Sequence, residues 1–193
     1  MRGVRRRDTS AVMTSYRLEK PDDAGAIEAL VEQGFGPGRF AKTAYRLREG
    51  VRHLPALAFV AERDGEIVAT VRYWPVDVGG TTALMLGPLA VRNELRGQGI
   101  GIGLMERSLN EARTLGHRAV LLVGDEPYYG RVGFAAIKPA GRITMPGPVD
   151  LRRLLGLALV EGALDAMSGS MHRAKLDEPV APASAALAVP AEQ

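Results

Sequence analysis

The chain has 193 residues, 46% of them hydrophobic, which supplies apolar material for one well-packed domain and too little length for two. It contains no cysteine, which excludes disulfides, thiolate metal sites and an acyl-cysteine intermediate. The formal charge of +3 lies entirely in residues 1–12, where four arginines meet one aspartate, so the remainder is balanced and nucleic acid is not an expected partner of the folded body.

Residues 1–12 read as a disordered basic arm or an over-long start, because no apolar h-region of a secretory signal follows the arginines. A single domain is expected over residues 13–176. Tyr16 to Glu19 alternates like a short strand, and Pro21 with Asp22 and Asp23 opens a helix whose Ala24, Ile27, Leu30 and Val31 share one face. A second helix is expected from Phe40 to Glu49, where no breaker occurs. Leu57 to Ala61 and Ile67 to Tyr73 read as strands joined through Asp64-Gly65, and Val78-Gly-Gly-Thr81 marks another hairpin. Leu84 to Val91, a helix to about Leu115 and the apolar run Ala119 to Val123 form a strand-helix-strand unit, whose strands should lie parallel. Then follow Ala135 to Lys138, a Pro/Gly-rich loop from Pro139 to Pro148, a strand from Leu154 to Val160, and a short strand or turn from Ser168 to Ala174. Residues 177–193 are Ala/Pro-rich and aperiodic, as in a disordered tail. No apolar run reaches the roughly 18 residues of a membrane span, and a cytoplasmic protein is expected.

The densest signal is Arg96-Gly97-Gln98-Gly99-Ile100-Gly101-Ile102-Gly103, placed between that strand and helix. Each interior helical glycine costs about 1 kcal/mol relative to alanine, so Gly101 and Gly103, where the first helical turn should be, ask for a compensating role. Backbone N–H groups at a helix start are unpaired and carry partial positive charge, and a glycine lining lets a phosphate approach them. The spacing fits neither common nucleotide loop. Gly97, Gly99 and Gly101 are followed at the third position by Ile102, Leu104 and Glu106, and no Gly-Lys-Ser/Thr occurs.

With Arg96, Gly99 and Gly101 on its motif positions, the stretch resembles the Arg/Gln-x-x-Gly-x-Gly/Ala pyrophosphate loop of the GNAT N-acetyltransferase superfamily. A second segment, Gly124-Asp-Glu-Pro-Tyr-Tyr-Gly-Arg-Val-Gly-Phe134, is similar to the tyrosine-bearing segment of a bacterial group of that superfamily, which usually reads GDPxYYxRFGF. Two departures are visible: Val132 replaces a phenylalanine, and Glu126-Pro127 inverts the usual order. The resemblance implies an α/β fold of the α+β kind, a mostly antiparallel mixed sheet whose parallel central strands splay apart and are flanked by helices. It implies acetyl-CoA as cosubstrate, with no metal, and acetyl transfer to a primary amine of a small molecule or protein by direct attack in a ternary complex. The pantetheine arm would add to the backbone of Leu89, Ala90 and Val91, and the amides around Ala90 or Leu89 would polarise the thioester carbonyl. Arg96 and the amides of Gln98 to Gly103 would hold the pyrophosphate. Tyr129 is the implied donor to the departing thiolate. A homodimer is compatible with the family.

The base that frees the amine is not legible. Thr81 to Val91 contains no carboxylate, and Glu62, Asp77, Asp125, Glu126 and a water chain remain alternatives. Three histidines, His53, His117 and His172, show no metal-ligand spacing, and His117 reads as a solvated surface residue. A catalytically silent CoA-binding regulatory domain and a nucleic-acid binder using the arginine arm are the alternative classes. The acceptor would be shaped by the first helices, the loop around Arg52 to Pro55 and the segment after Pro139.

Overall fold

The structure is a computed structural model that describes residues 13–41 and 43–174. The expectations for the arm at 1–12 and the tail at 177–193 fall outside those residues. Hairpins build the first half of the sheet: β1 (Ser15–Leu18) pairs antiparallel with β2 (Phe59–Arg63), β2 with β3 (Glu66–Val78), and β3 with β4 (Thr81–Val91). Asp64 and Gly65 both hold positive φ, 54° and 78°, as a tight hairpin turn demands. β3 runs past its expected end at Tyr73 and through Pro75. There the carbonyl of Pro75 accepts from Ala174 N on the side away from β4, so the missing N–H of proline leaves the ladder to β4 intact.

After β4 the topology changes. The helix α3 (Ile100–Thr114) carries the chain to β5 (Ala119–Val123), which lies parallel to β4, and β8 (Leu154–Ala158) then pairs antiparallel with β5. β6 (Ala135–Ala136) extends that side beside β8. β9 (Gly169–Arg173), one of the two outcomes expected for Ser168 to Ala174, adds to the distal end of β3 and takes β7 (Ile143–Thr144) in parallel. The latter strand lies inside the stretch expected to be wholly loop.

Strand alternation decides which helix covers which face. Phe59 and Ala61 of β2 pack in the cluster that contains Leu104, Met105 and Leu109 of α3, whereas Val60 between them packs with Ile27, Leu30 and Val31 of α1 (Ala24–Phe35). The two helices therefore lie on opposite faces. Tyr73, fully buried under α3, has its hydroxyl 2.8 Å from Ser108 Oγ. A third cluster around Met85, Leu121, Met167 and Met171 fills the far end of the sheet.

The helix expected from Phe40 to Glu49 is not formed as one piece. A 3-10 turn at Pro37–Ala41 and the single-turn α2 (Thr43–Arg46) stand there, followed by turn residues. An isolated helix of that length is marginal without an amphipathic face to bury. Here the fixed points are scattered instead: Leu47 enters the core, Thr43 Oγ1 donates to Pro148 O at 2.7 Å, and buried Arg39 pairs with Glu28 and Glu32 of α1. Among the described residues no helix is long and apolar enough to cross a membrane.

Candidate active site

β4 and β5 are paired only at Leu84 with Val120 and Met85 with Leu121. Beyond that point they part. The cause is visible in the register, since Gly87 and Pro88 of β4 oppose the single Arg72 of β3, and a bulge of this kind turns a strand away from its neighbour. From Leu86 to Val91 the β5-facing edge of β4 thus has no strand partner among the described residues.

Two cavities open into the cleft. One, of about 560 Å³, lies between the end of β4, the start of α3 and the tyrosine segment, and Leu89, Val91, Arg96, Gly97, Gly99, Ile100, Gly101 and Ile102 line it. The other, of about 400 Å³, lies on the far side, under residues 43–48 and 148–153. Phe35, Leu89, Val123, Tyr129 and Arg153 line both, so they form the junction.

The glycine stretch divides by role. Gln98 N donates to Leu95 O at 3.4 Å and Gly103 N to Gly99 O at 3.0 Å, leaving Gly99 to Ile102 as amides without a backbone partner among the described residues. Gly99 caps α3 at φ 81°. At Gly101 a Cβ would stand 2.4 Å from Tyr128 Oη and 3.2 Å from Val91 Cγ2, so this glycine keeps the cavity open. Gly103 has a different reason to be glycine: a Cβ there would stand 2.4 Å from Tyr16 Oη, on the β1 side and outside the cavity lining. Gln98 also turns away, accepting from Arg63 at 2.9 Å. The side chain of Ala90 is buried against α1, which leaves its backbone as the part available to a ligand. Arg96 Nε reaches back to Val91 O at 3.4 Å, with its outer nitrogen near Gly34.

Tyr129 ends the single-turn α4 (Glu126–Tyr129) that follows β5. Its ring meets Tyr128 edge-on at 5.0 Å and Phe134 at 6.1 Å, and it rests directly on Gly124, where a Cβ would be 2.2 Å from Cε2. Burial, then the neighbouring Tyr128 and Asp125, push its phenol up to about 12, so the hydroxyl is a donor throughout the neutral range. The matched spacing of Tyr-x-x-x-Gly-Phe thus reflects packing: Phe134 braces the ring.

The four carboxylates considered as bases are otherwise engaged. Glu62 pairs with Arg17 at 2.9 Å, Asp77 accepts from Gly80 N at 2.9 Å, Glu126 accepts from Ala136 N at 3.3 Å, and Asp125 pairs with Arg153 at 3.1 Å. Of these only Asp125 lines a cavity, the larger one. Asp150, not singled out from sequence, lines the smaller cavity, but Arg152 holds it at 2.9 Å and keeps its carboxyl below the usual range. None of residues 52–55 lines either cavity. His117, expected at the surface, closes α3 half-buried, and burial lowers its imidazole. Among the described residues no cluster of three His, Asp or Glu could hold a metal ion.

Comparison with known proteins agrees with this geometry. Residues 25–135 match the acetyltransferase (GNAT) family. The chain is 37% identical over 121 residues to the N-acetyltransferase YhbS of Escherichia coli K12, covering 61% of this chain and 71% of that protein. It is 29% identical over 141 residues to YjhQ of the same organism, covering 71% and 77%. Among solved structures it resembles E. coli YhbS in complex with CoA, with TM-score 0.71, 31% identity and coverage of 85% of this chain and 91% of that one. A GNAT acetyltransferase from Brucella melitensis in complex with acetyl-CoA gives TM-score 0.62 and 27% identity, with 84% and 96% covered. The overall fold, a mostly antiparallel sheet with parallel β4 and β5 flanked by helices, matches these structures, and the chain belongs to the GNAT family of N-acetyltransferases.

Proposed function

We propose that the protein transfers an acetyl group from acetyl-CoA, held in the larger cavity, to a primary amine entering the smaller one, by direct attack in a ternary complex. The observation that carries this is the junction: the two cavities share Leu89 and Tyr129. The pyrophosphate is held by the amides of Gly99 to Ile102 at the positive end of α3, with Arg96 beside them. The pantetheine lies along the open edge of β4, and an amide of Leu89 or Ala90 polarises the thioester carbonyl.

The amine attacks the carbonyl carbon, the tetrahedral intermediate collapses, and the carbon–sulfur bond breaks. Tyr129 supplies a hydrogen bond to the departing sulfur. Complete transfer from a phenol near 12 to a thiolate of ordinary affinity, about 8.5, is uphill by roughly 5 kcal/mol, so the hydroxyl stabilises the thiolate and solvent completes its protonation. Freeing a lysine-like amine at pH 7 costs about 4.6 kcal/mol, and with the nearby carboxylates ion-paired the proton leaves to water. The test is calorimetry with acetyl-CoA, followed by an amine screen read by thiol release. Micromolar binding and acceptor-dependent thiol release support the reading, and absence of acetyl-CoA binding overturns it.

A further inference from the structure

The smaller cavity contains a charge that the transfer chemistry does not use. Arg48 lies on its wall with the guanidinium carbon 4.6 Å over the Tyr45 ring and 5.8 Å over the Trp74 ring. Its Nη2 packs on Gly87, where a Cβ would stand 2.6 Å away. Trp74 is fixed in turn, since its indole nitrogen donates to Gly87 O at 2.6 Å. Arg48 Nε and Nη1 are sealed from solvent and meet no acceptor at full hydrogen-bond geometry among the described residues, the Tyr45 phenol being the one group close enough to favour the cation, and no described carboxylate pairs with this side chain. Idle buried donors on a cation are costly, and aromatic faces recover only part of that cost.

The other charged residues that line this cavity, Asp150 and Arg153, are already matched, as is nearby Arg72. Arg153 pairs with Asp125 at 3.1 Å, Asp150 with Arg152 at 2.9 Å, and Arg72 with Glu19 at 2.6 Å. One positive charge is left over, and it suits a ligand carrying one negative charge. Burial lowers the guanidinium to about 10, in keeping with a cation short of a counter-charge.

We propose that Arg48 receives a carboxylate of the acetyl acceptor, so that the acceptor class is a small molecule bearing one primary amine and one carboxylate. This rests on reading the smaller cavity as the acceptor site. The carboxylate approaches Arg48 where it lines the cavity, the guanidinium, held by ring faces and not by an ion pair, turns its donors to it, and the amine extends toward Tyr129 on the same cavity wall.

Trp74, the sole tryptophan, reports on the site by its emission. The experiment titrates the CoA-saturated protein with a panel of N-acetyl amino acids, which have the shape of such products, and with their primary amides, following fluorescence and calorimetry. The expected result is saturable binding of acids about 10- to 100-fold tighter than of the matched amides. Arg48→Gln should erase that difference and Arg48→Lys retain part of it, both with the wild-type affinity for acetyl-CoA. Equal binding of acids and amides by the wild type, or an unchanged preference in Arg48→Gln, overturns the proposal and leaves the active-site reading standing. A wild-type protein that fails to bind acetyl-CoA overturns both.

Discussion

The two cavities are built from different materials. The larger one is made of main chain: the unpaired edge of β4, the left-handed Gly99 and the first amides of α3. The smaller one is made of side chains, with Thr43, Tyr45 and Arg48 from one irregular segment and Asp150 and Arg153 from another. A backbone cradle binds what every member of a family shares, because amides can change little under mutation. Side chains on loops can be exchanged without rebuilding the sheet, as a site that selects among acceptors requires.

The sharpest way to break this division is to put a side chain into the backbone cradle. Gly101→Val places atoms against Val91 and Tyr128, and acetyl-CoA affinity should fall by at least about 100-fold while the protein stays folded. Wild-type affinity by calorimetry would show that this helix start is not the phosphate site. Tyr129, at the junction, should be felt in turnover rather than binding. Tyr129→Phe should lower kcat and kcat/KM together by about 100-fold with acetyl-CoA affinity unchanged, measured where single-turnover kinetics show chemistry to be limiting. With its phenol near 12, the wild-type rate should rise with pH as the amine deprotonates and show no falling limb below about pH 10. A fall near pH 8 to 9 would assign the donor role to another group.

Gly103→Ala sharpens the comparison from the other side. Its methyl meets Tyr16 and not the cavity, and an overpacking cost of about 2 kcal/mol set against a helix-propensity gain of about 1 should leave a net loss of about 1 kcal/mol, a few degrees in Tm, with acetyl-CoA affinity intact. A loss of affinity would return Gly103 to the phosphate site. The smallest effect is expected at the corner that seats α1, which contributes Phe35 to both cavities. Asp23 accepts from Arg17 at 2.6 Å and from Lys20 N at 2.7 Å, and the Arg17 contact holds its carboxyl below the ordinary value. Its folded affinity for protons is lowered, so its stabilisation is present above about pH 4 and is lost as pH falls through the folded value. Asp23→Asn should therefore cost about 1 kcal/mol in denaturant melts at pH 7 and progressively less toward pH 3. A gap that does not narrow would locate the loss in shape rather than charge.

Reading the chain alone brought together residues that line the larger cavity. Glycine at a helix start has few causes, and Arg96, Gly99 and Gly101 are contiguous in sequence as they are around the cavity. What it missed there was the split among the glycines, since Gly103 answers to Tyr16, eighty-seven residues earlier, through a contact that only folding creates. The smaller cavity, proposed for the acceptor, was visible only as a region. Arg48 and Asp150 are ordinary surface-type residues in the text, and the helix expected over Phe40 to Glu49 hid the first of them.

Local rules thus determined the strand-helix-strand centre, the Asp64-Gly65 hairpin and the helix start, because each is specified by the conformational freedom or periodicity of neighbouring residues, whereas the tyrosine segment was legible only by its resemblance to a known family. Tertiary structure alone decided the parting of β4 from β5, the seating of Tyr129 on Gly124, and the closure of an arginine among Tyr45, Trp74 and Gly87. Those depend on strand register and on burial, quantities set by residues far apart in the chain, and no short window of sequence contains both partners.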